Sequence, residues 1–162
     1  MKNTVIIERQ AVRAVLLTPD QEILLMRIHP PDGGDSFWIA PGGGLEPGET
    51  AESGLQRELR EELGLTEFEM GPLVWLRQHT FNWGEKRLCQ QEQFYIVQVN
   101  RFDPVMSDAV EAATLDRFYW WKVADLPHTE ERLTPRSLAE ILRRYLAEGA
   151  PLELPEMEIL VD

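Results

Sequence analysis

Residues 43–65 read GGLEPGETAESGLQRELREELGL, and this stretch decides how the chain is read. Glu58, Glu61 and Glu62 are spaced i, i+3, i+4, which puts them on one face of any helix they share. Three carboxylates there repel one another, at roughly 0.2–0.5 kcal/mol for each like-charged pair. A cluster that costs stability invites a counter-ion, and oxygen-only ligands suit a hard cation, Mg²⁺ or Mn²⁺, better than zinc. Thr50 is an N-cap residue and Gly64 sits where a left-handed C-cap belongs. Between them Ala51, Leu55, Leu59 and Leu63 recur every four residues and predict a buried stripe. The acidic face is rotated away from that stripe, free to look into a cleft. Taken alone, the three glutamates read more simply as a solvated, ion-paired helix face.

The whole stretch resembles the Nudix box, G-x5-E-x7-R-E-U-x-E-E-x-G-U, with U a bulky apolar residue. Gly43, Glu49, Arg57, Glu58, Leu59, Glu61, Glu62, Gly64 and Leu65 fill its nine fixed positions. That complete match overrides the simpler reading. The box covers about a seventh of the chain, with weaker similarity from Ala11 to Trp120. The resemblance implies an α/β fold of the Nudix type, an α/β/α sandwich with a mixed β-sheet between helices. The implied activity is Mg²⁺-dependent hydrolysis of a pyrophosphate linkage in a nucleoside diphosphate derivative, with Mn²⁺ as the other cation. By motif position Glu58 and Glu62 are the principal metal ligands, and Glu61 is a further ligand or the water-activating base. Arg57 orients the glutamates, and Glu49 is its structural partner or an outer ligand. Backbone groups of Gly42, Gly43 or Gly44 meet metal or phosphate. Some family members draw another glutamate from the loop before a late strand; Glu111 is the first candidate for that role and Glu92 the second.

Bulk properties bound the rest. A length of 162 residues suits one domain, expected over residues 1–150, with an acidic tail over 151–162. Hydrophobic content of 43% with a mean hydropathy of −0.30 is that of a soluble protein with a core. No apolar run reaches the ~20 residues of a membrane span. Glu8 and Arg9 interrupt what a signal peptide would need, so the cytoplasm is the expected compartment. Cys89, the single cysteine, cannot form an internal disulfide. The net charge of −12 argues against tracking duplex nucleic acid, which rests on Lys and Arg neutralising phosphates. It does not argue against a small nucleotide, because a bound cation inverts the local sign.

Along the chain, residues 5–18 and 22–28 read as strands that could close as a hairpin across Pro19-Asp20. Residues 73–79 and 93–100 are strand-like, with a tip near 82–85. Residues 102–114 are polar and irregular, 118–123 form another strand, and 135–148 a second amphipathic helix. The tail is read as extended or loosely docked.

Outside the box, Trp83 at the tip is a candidate base-stacking residue or dimer contact. Arg27, at the end of the second strand, is a candidate for a substrate phosphate, as are Arg77 and Arg87. His29, His79 and His128 have no metal-ligand spacing and read as ordinary polar residues. Sequence marks of ADP-ribose, dinucleoside polyphosphate and coenzyme A hydrolases are absent around the box. The remaining expectation is a (deoxy)nucleoside triphosphate cut to monophosphate and pyrophosphate. A nucleotide sugar or other nucleoside diphosphate derivative is the alternative substrate. A non-catalytic nucleotide-sensing module is the reading from another class, and the intact set of box glutamates disfavours it. An RNA-end pyrophosphohydrolase is a further reading, disfavoured by the net charge. A homodimer is consistent with habits of the family.

Overall fold

The computed structural model describes residues 5–162; the first four residues of the expected domain lie outside them. Strand β1 (Ile6–Leu17) is the central element. Its apolar residues alternate, with Val12, Ala14 and Leu16 on one face and Val15 and Leu17 on the other, as a pleat buried on both sides requires. β1 runs parallel to β6 (Lys86–Gln98) over twelve paired residues, from Ile6 beside Arg87 to Leu17 beside Gln98.

β2 (Glu22–Ile28) meets β1 only at Leu17 and Ile23, so the expected hairpin exists at its turn and then splays. The reason is competition for the edge of β1. The tri-glycine strand β4 (Gly42–Gly44) takes it, pairing Gly44, Gly43 and Gly42 with Ala11, Val12 and Arg13. β2 pairs instead with β3 (Phe37–Ile39) and, later in the chain, with β7 (Leu115–Lys122). β5 (Leu73–Trp83) returns antiparallel to β6 around the expected tip, where Gly84 takes a φ of +61°. β8 (Leu133–Thr134) closes one end of the sheet beside β3.

Helix α1 (Ala51–Leu63) lies on one face of this mixed sheet and α3 (Leu138–Glu148) on the other, the α/β/α sandwich that the motif implies. α1 starts where the sequence indicates. Ser53 N–H donates to Thr50 Oγ1 at 3.1 Å, and Thr50 N–H donates back to Ser53 Oγ at 3.0 Å, a reciprocal cap. It stops at Gly64, whose φ of +71° lets its N–H reach Arg60 O at 3.0 Å while Leu65 N–H reaches Leu59 O. Leu55, Leu59 and Leu63 are buried against Val12, Leu16, Leu24 and Val97. On the far face Leu138, Ile141 and Leu142 of α3 pack on Val15, Phe94 and Ile96. α3 begins at 138 rather than 135, because Leu138 N–H closes a turn on Pro135 O before the helix winds. No helix among the described residues is long and apolar enough to cross a membrane.

Part of the tail is extended: β9 (Met157–Val161) adds a parallel strand to β5, and Ser137 Oγ donates to Glu158 Oε2 at 2.9 Å. A feature outside the sequence reading is a row of buried charge on the α3 face. Glu92 is 1% exposed and accepts from Arg13 Nε at 3.0 Å and from Arg77, whose Nη2 lies 2.6 Å away. Burial works to raise the Glu92 pKa, but the two guanidinium groups outweigh it and hold the carboxyl below its ordinary value.

Removing the middle charge of this row leaves two guanidinium groups facing each other in the interior. Glu92→Gln is expected to lower stability by about 3–5 kcal/mol, the usual cost of breaking a buried ion pair from one side. Urea unfolding with an unchanged m-value checks this, and a loss under about 1 kcal/mol would mean that the row is solvated.

Candidate active site

The apolar stripe of α1 fixes which way its acidic face looks. With Leu55 and Leu59 in the core, Glu58 and Glu62 turn toward β4 and are themselves buried, at 5% and 1% exposure. Gly42 N–H donates to Glu62 Oε2 at 3.3 Å. A Cβ on Gly43 would fall 2.7 Å from Glu58 Oε1, and one on Gly42 would fall 2.0 Å from Val12 O. The glycines are therefore required by the approach of β4 to a strand on one side and to a carboxylate on the other.

The third carboxylate comes from the segment that the sequence leaves irregular. The last turn of α1 has free carbonyls, and residues 105–107 satisfy them. Val105 N–H donates to Leu63 O, while Ser107 donates to Glu61 O from both its N–H and its hydroxyl, at 2.8 and 2.9 Å. Asp108 then caps a single helical turn, α2 (Ala109–Ala112), through Val110 N–H and Glu111 N–H. This delivers Glu111 to the box glutamates. Glu58, Glu62 and Glu111 each present an oxygen within 4.8 Å of the others.

Glu61, expected as a further ligand or the water-activating base, lies outside this group. On a helix, i and i+4 differ by roughly 40° around the axis, whereas i and i+3 differ by roughly 60° the other way. Glu58 and Glu62 therefore converge while Glu61 stays on the rim, 35% exposed, with Arg57 Nη1 at 3.4 Å.

Arg57 organises the rim. It grips Glu49 through two hydrogen bonds, Nε and Nη2 at 2.8 and 2.9 Å, and donates to Glu58 Oε1 at 3.0 Å and Gly44 O at 2.9 Å. That bidentate pairing holds the Glu49 carboxyl down at about 2 and raises the arginine. Glu49 thus acts on the trio through Arg57 and is not one of its members.

The trio fits a divalent cation on its own chemistry. Glu58 Oε2 is buried with no hydrogen-bond partner among the described residues. A buried, unpartnered carboxylate oxygen is costly, and a cation is what would satisfy it. The electrostatics agree. Burial, then the Glu111 charge, push the Glu62 carboxyl well above its ordinary value, and burial likewise raises Glu111.

Beside the trio lies a cleft of about 400 Å³ on the α3 face, within the size range of small-molecule sites. Arg13 joins the two, lining the cleft while its Nη1 donates to Gly42 O at 2.9 Å. Trp83 and Phe81 also line the cleft, as does the buried Arg77. Arg27 does not line the cleft; Asp116 at 2.9 Å and Glu131 at 3.5 Å hold its guanidinium elsewhere. Arg87 is turned to Asn82 and to the backbone of Asp162.

Sequence reasoning missed Arg9 and Arg13. Both project from the same side of β1, four residues apart, and two arginines at like parity in one strand are the signal that was available. Arg9 lies over Gly44, where any Cβ would strike its guanidinium, and burial followed by the neighbouring Arg13 lowers its pKa. Also missed were Arg132, Arg136 and Asp162, which no motif marks.

The family model of the NUDIX domain matches residues 8–145, and the chain belongs to that family. It is similar to a protein named RNA pyrophosphohydrolase from Erwinia tasmaniensis, 27% identical over 135 residues, spanning 77% of this chain and 75% of that one. A protein of the same name from Yersinia enterocolitica is 27% identical over 162 residues, spanning 93% and 87%. Among solved structures, the MutT protein from Methanosarcina mazei Go1 superposes with a TM-score of 0.63 at 21% identity, covering 89% of this chain and 96% of that one. The protein is a pyrophosphohydrolase of the Nudix class.

The raised carboxyls set the sign of a pH effect. Without metal, Glu62 and Glu111 keep their protons to higher pH than in the unfolded chain, so their contribution to stability is present below the ordinary carboxyl range. It is lost as pH rises through their raised pKa values. A cation binds the ionised form and reverses this loss. The increase in Tm on adding Mg²⁺ is therefore expected to grow from pH 5 to pH 8, measured against EDTA at each pH. An increase of equal size at every pH would contradict the assignment of these two carboxyls.

Proposed function

We propose that the protein cleaves the α–β anhydride of a (deoxy)nucleoside triphosphate, with Mg²⁺ held by Glu58, Glu62 and Glu111. The observation that carries this reading is the buried trio with its unpartnered Glu58 oxygen, set against the tri-glycine strand. A bound divalent cation supplies neutralisation of phosphate oxygens and an acidified water.

The chain's own groups do the rest. Arg57 fixes Glu58 and the rim against the repulsion of their charges. Glu61, half-buried on the rim outside the trio and paired only at 3.4 Å with Arg57, is the carboxylate placed to accept the proton of the attacking water. Backbone groups of Gly42, Gly43 and Gly44 let a phosphate approach without meeting a side chain. Arg13, beside the trio, and Arg77 place positive charge along the cleft, and Trp83 with Phe81 offers aromatic faces to a base. Water adds to phosphorus, the bridging P–O bond breaks, and nucleoside monophosphate and pyrophosphate leave.

A second reading is the 5′-triphosphate end of RNA. Two observations favour it: the relatives named RNA pyrophosphohydrolase, and the additional arginines Arg132 and Arg136 that line the cleft.

Glu62→Gln tests the metal assignment. It removes a ligand charge while leaving the leucine stripe untouched. Turnover is expected to fall at least about a hundredfold, since a cation's electrostatic stabilisation is worth several kcal/mol and each 1.4 kcal/mol is tenfold. The measurement is pyrophosphate release from NTPs, dNTPs and triphosphorylated RNA, and nucleoside monophosphate release from nucleotide sugars, each with and without Mg²⁺. Wild-type turnover in the variant would remove Glu62 from the metal site. Release from RNA alone would select the second reading.

A further inference from the structure

The far end of the cleft narrows to a recess lined by Arg77, His79, Arg132 and Arg136, with Asp162 as the carboxylate among its lining residues. Arg77 is already matched by Glu92. Arg132 and Arg136 are exposed, and the Asp162 side chain sits between them and His79. It accepts from His79 Nε2 at 2.7 Å and from Arg132 Nη2 at 3.2 Å. Arg136 adds its field without a hydrogen bond to the carboxylate among the described residues.

Backbone contacts put Asp162 there. β9 runs beside β5, Asp162 N–H donates to Thr80 O at 2.9 Å, and Arg87 Nη2 donates to Asp162 O at 3.2 Å. One carboxylate therefore rests in a setting with the fork, ring and spare guanidinium of a phosphate site. The seat is also lightly held. Asp162 is 42% exposed, and an ion pair of that exposure adds little to holding the side chain in place. A phosphate group brings more charge and more acceptor oxygens than a carboxylate to the same donors.

We propose that the recess formed by His79, Arg132 and Arg136 is an anion subsite for a phosphate group on the non-scissile side of the substrate, and that Asp162 is its internal occupant. The seat itself rests on geometry alone; its use by a substrate rests on the reading of the reaction given above. A substrate with a phosphodiester beyond its first nucleoside must displace Asp162 to fill the seat. A mononucleotide leaves Asp162 in place, so the side chain tunes the choice between mononucleotides and longer chains.

The test uses Asp162→Asn, which keeps the size of the side chain, with Arg136→Ala added in a double variant. Inorganic phosphate is titrated into each protein and read by the NMR shifts of the His79 imidazole. Asp162→Asn is expected to bind phosphate about tenfold more tightly than wild type, and the double variant to lose that gain. Equal affinity in wild type and Asp162→Asn, or a gain that survives Arg136→Ala, overturns the seat.

For its use in catalysis, kcat/KM is compared on GTP and on a 5′-triphosphorylated GpG dinucleotide. Asp162→Asn is expected to raise the dinucleotide-to-GTP ratio about tenfold, and an unchanged ratio overturns the selectivity role. If wild type cleaves neither compound, the reading of the reaction fails while the phosphate titration still decides the seat.

Discussion

The structure depends on the burial of like charges. Glu58 and Glu62 are carried inward because Leu55, Leu59 and Leu63 on the same helix must be covered, and Glu111 is brought to meet them. In isolation that arrangement is unfavourable: burial and neighbouring negative charge push protons onto Glu62 and Glu111. Several parts of the fold hold the arrangement in place. Arg57 neutralises the rim, β4 has no side chains to block the approach, and the 105–107 segment is pinned to the helix end that supports Glu111. A site under this kind of electrostatic tension has a strong preference for a cation, because the cation removes the cost that the fold imposes.

How far this was legible depends on the range of the interaction. The helix, its caps and its buried stripe follow from local spacing, and Thr50, Gly64 and the leucines stand where that spacing puts them. The match of Glu49, Arg57 and the box glutamates to a known pattern carried the chemistry. What did not show was set at long range. The twelve-residue parallel register of β1 and β6, the preference of β4 over β2 for the edge of β1, and the addition of β9 to β5 join segments far apart in sequence. No window of residues encodes those choices, since strand pairing is decided by competing partners. Glu61 illustrates a finer limit. Three glutamates share a helix face by spacing, yet only the pair at i and i+4 converges with Glu111, which arrives from outside the helix. Arg27 shows the converse, a plausible phosphate contact claimed by Asp116 and Glu131.

Net charge was a poor guide to the cleft. A chain at −12 places four arginines, Arg13, Arg77, Arg132 and Arg136, along one wall. Their acidic partners are graded by accessibility. Glu92 is buried between Arg13 and Arg77 and belongs to the fold. Asp162 is exposed and held mainly through its backbone. The first neutralises charge permanently; the second can be exchanged for another anion at small cost. An acidic surface repels polyanions at a distance, within a screening length of about 8 Å at physiological salt, but it does not determine what binds once a chain end has entered the cleft.

That distinction bears on how a Nudix domain of this composition would meet a long substrate. Unfavourable long-range charge slows association and makes it sensitive to salt in the sense opposite to that of a basic nucleic-acid binder, weakening it at low ionic strength. Local arginines act after entry and affect how long a bound end stays. On the proposed reading, a substrate with one nucleotide presents its phosphates to the carboxylate trio and the Arg13–Arg77 stretch of the cleft. A substrate with a second phosphate further along reaches the Arg132–Arg136 end, where a displaceable carboxylate stands in its place. Discrimination between the two then rests on a difference in local binding, not on the overall field, and the tail strand β9, which carries Asp162, becomes part of the cleft wall.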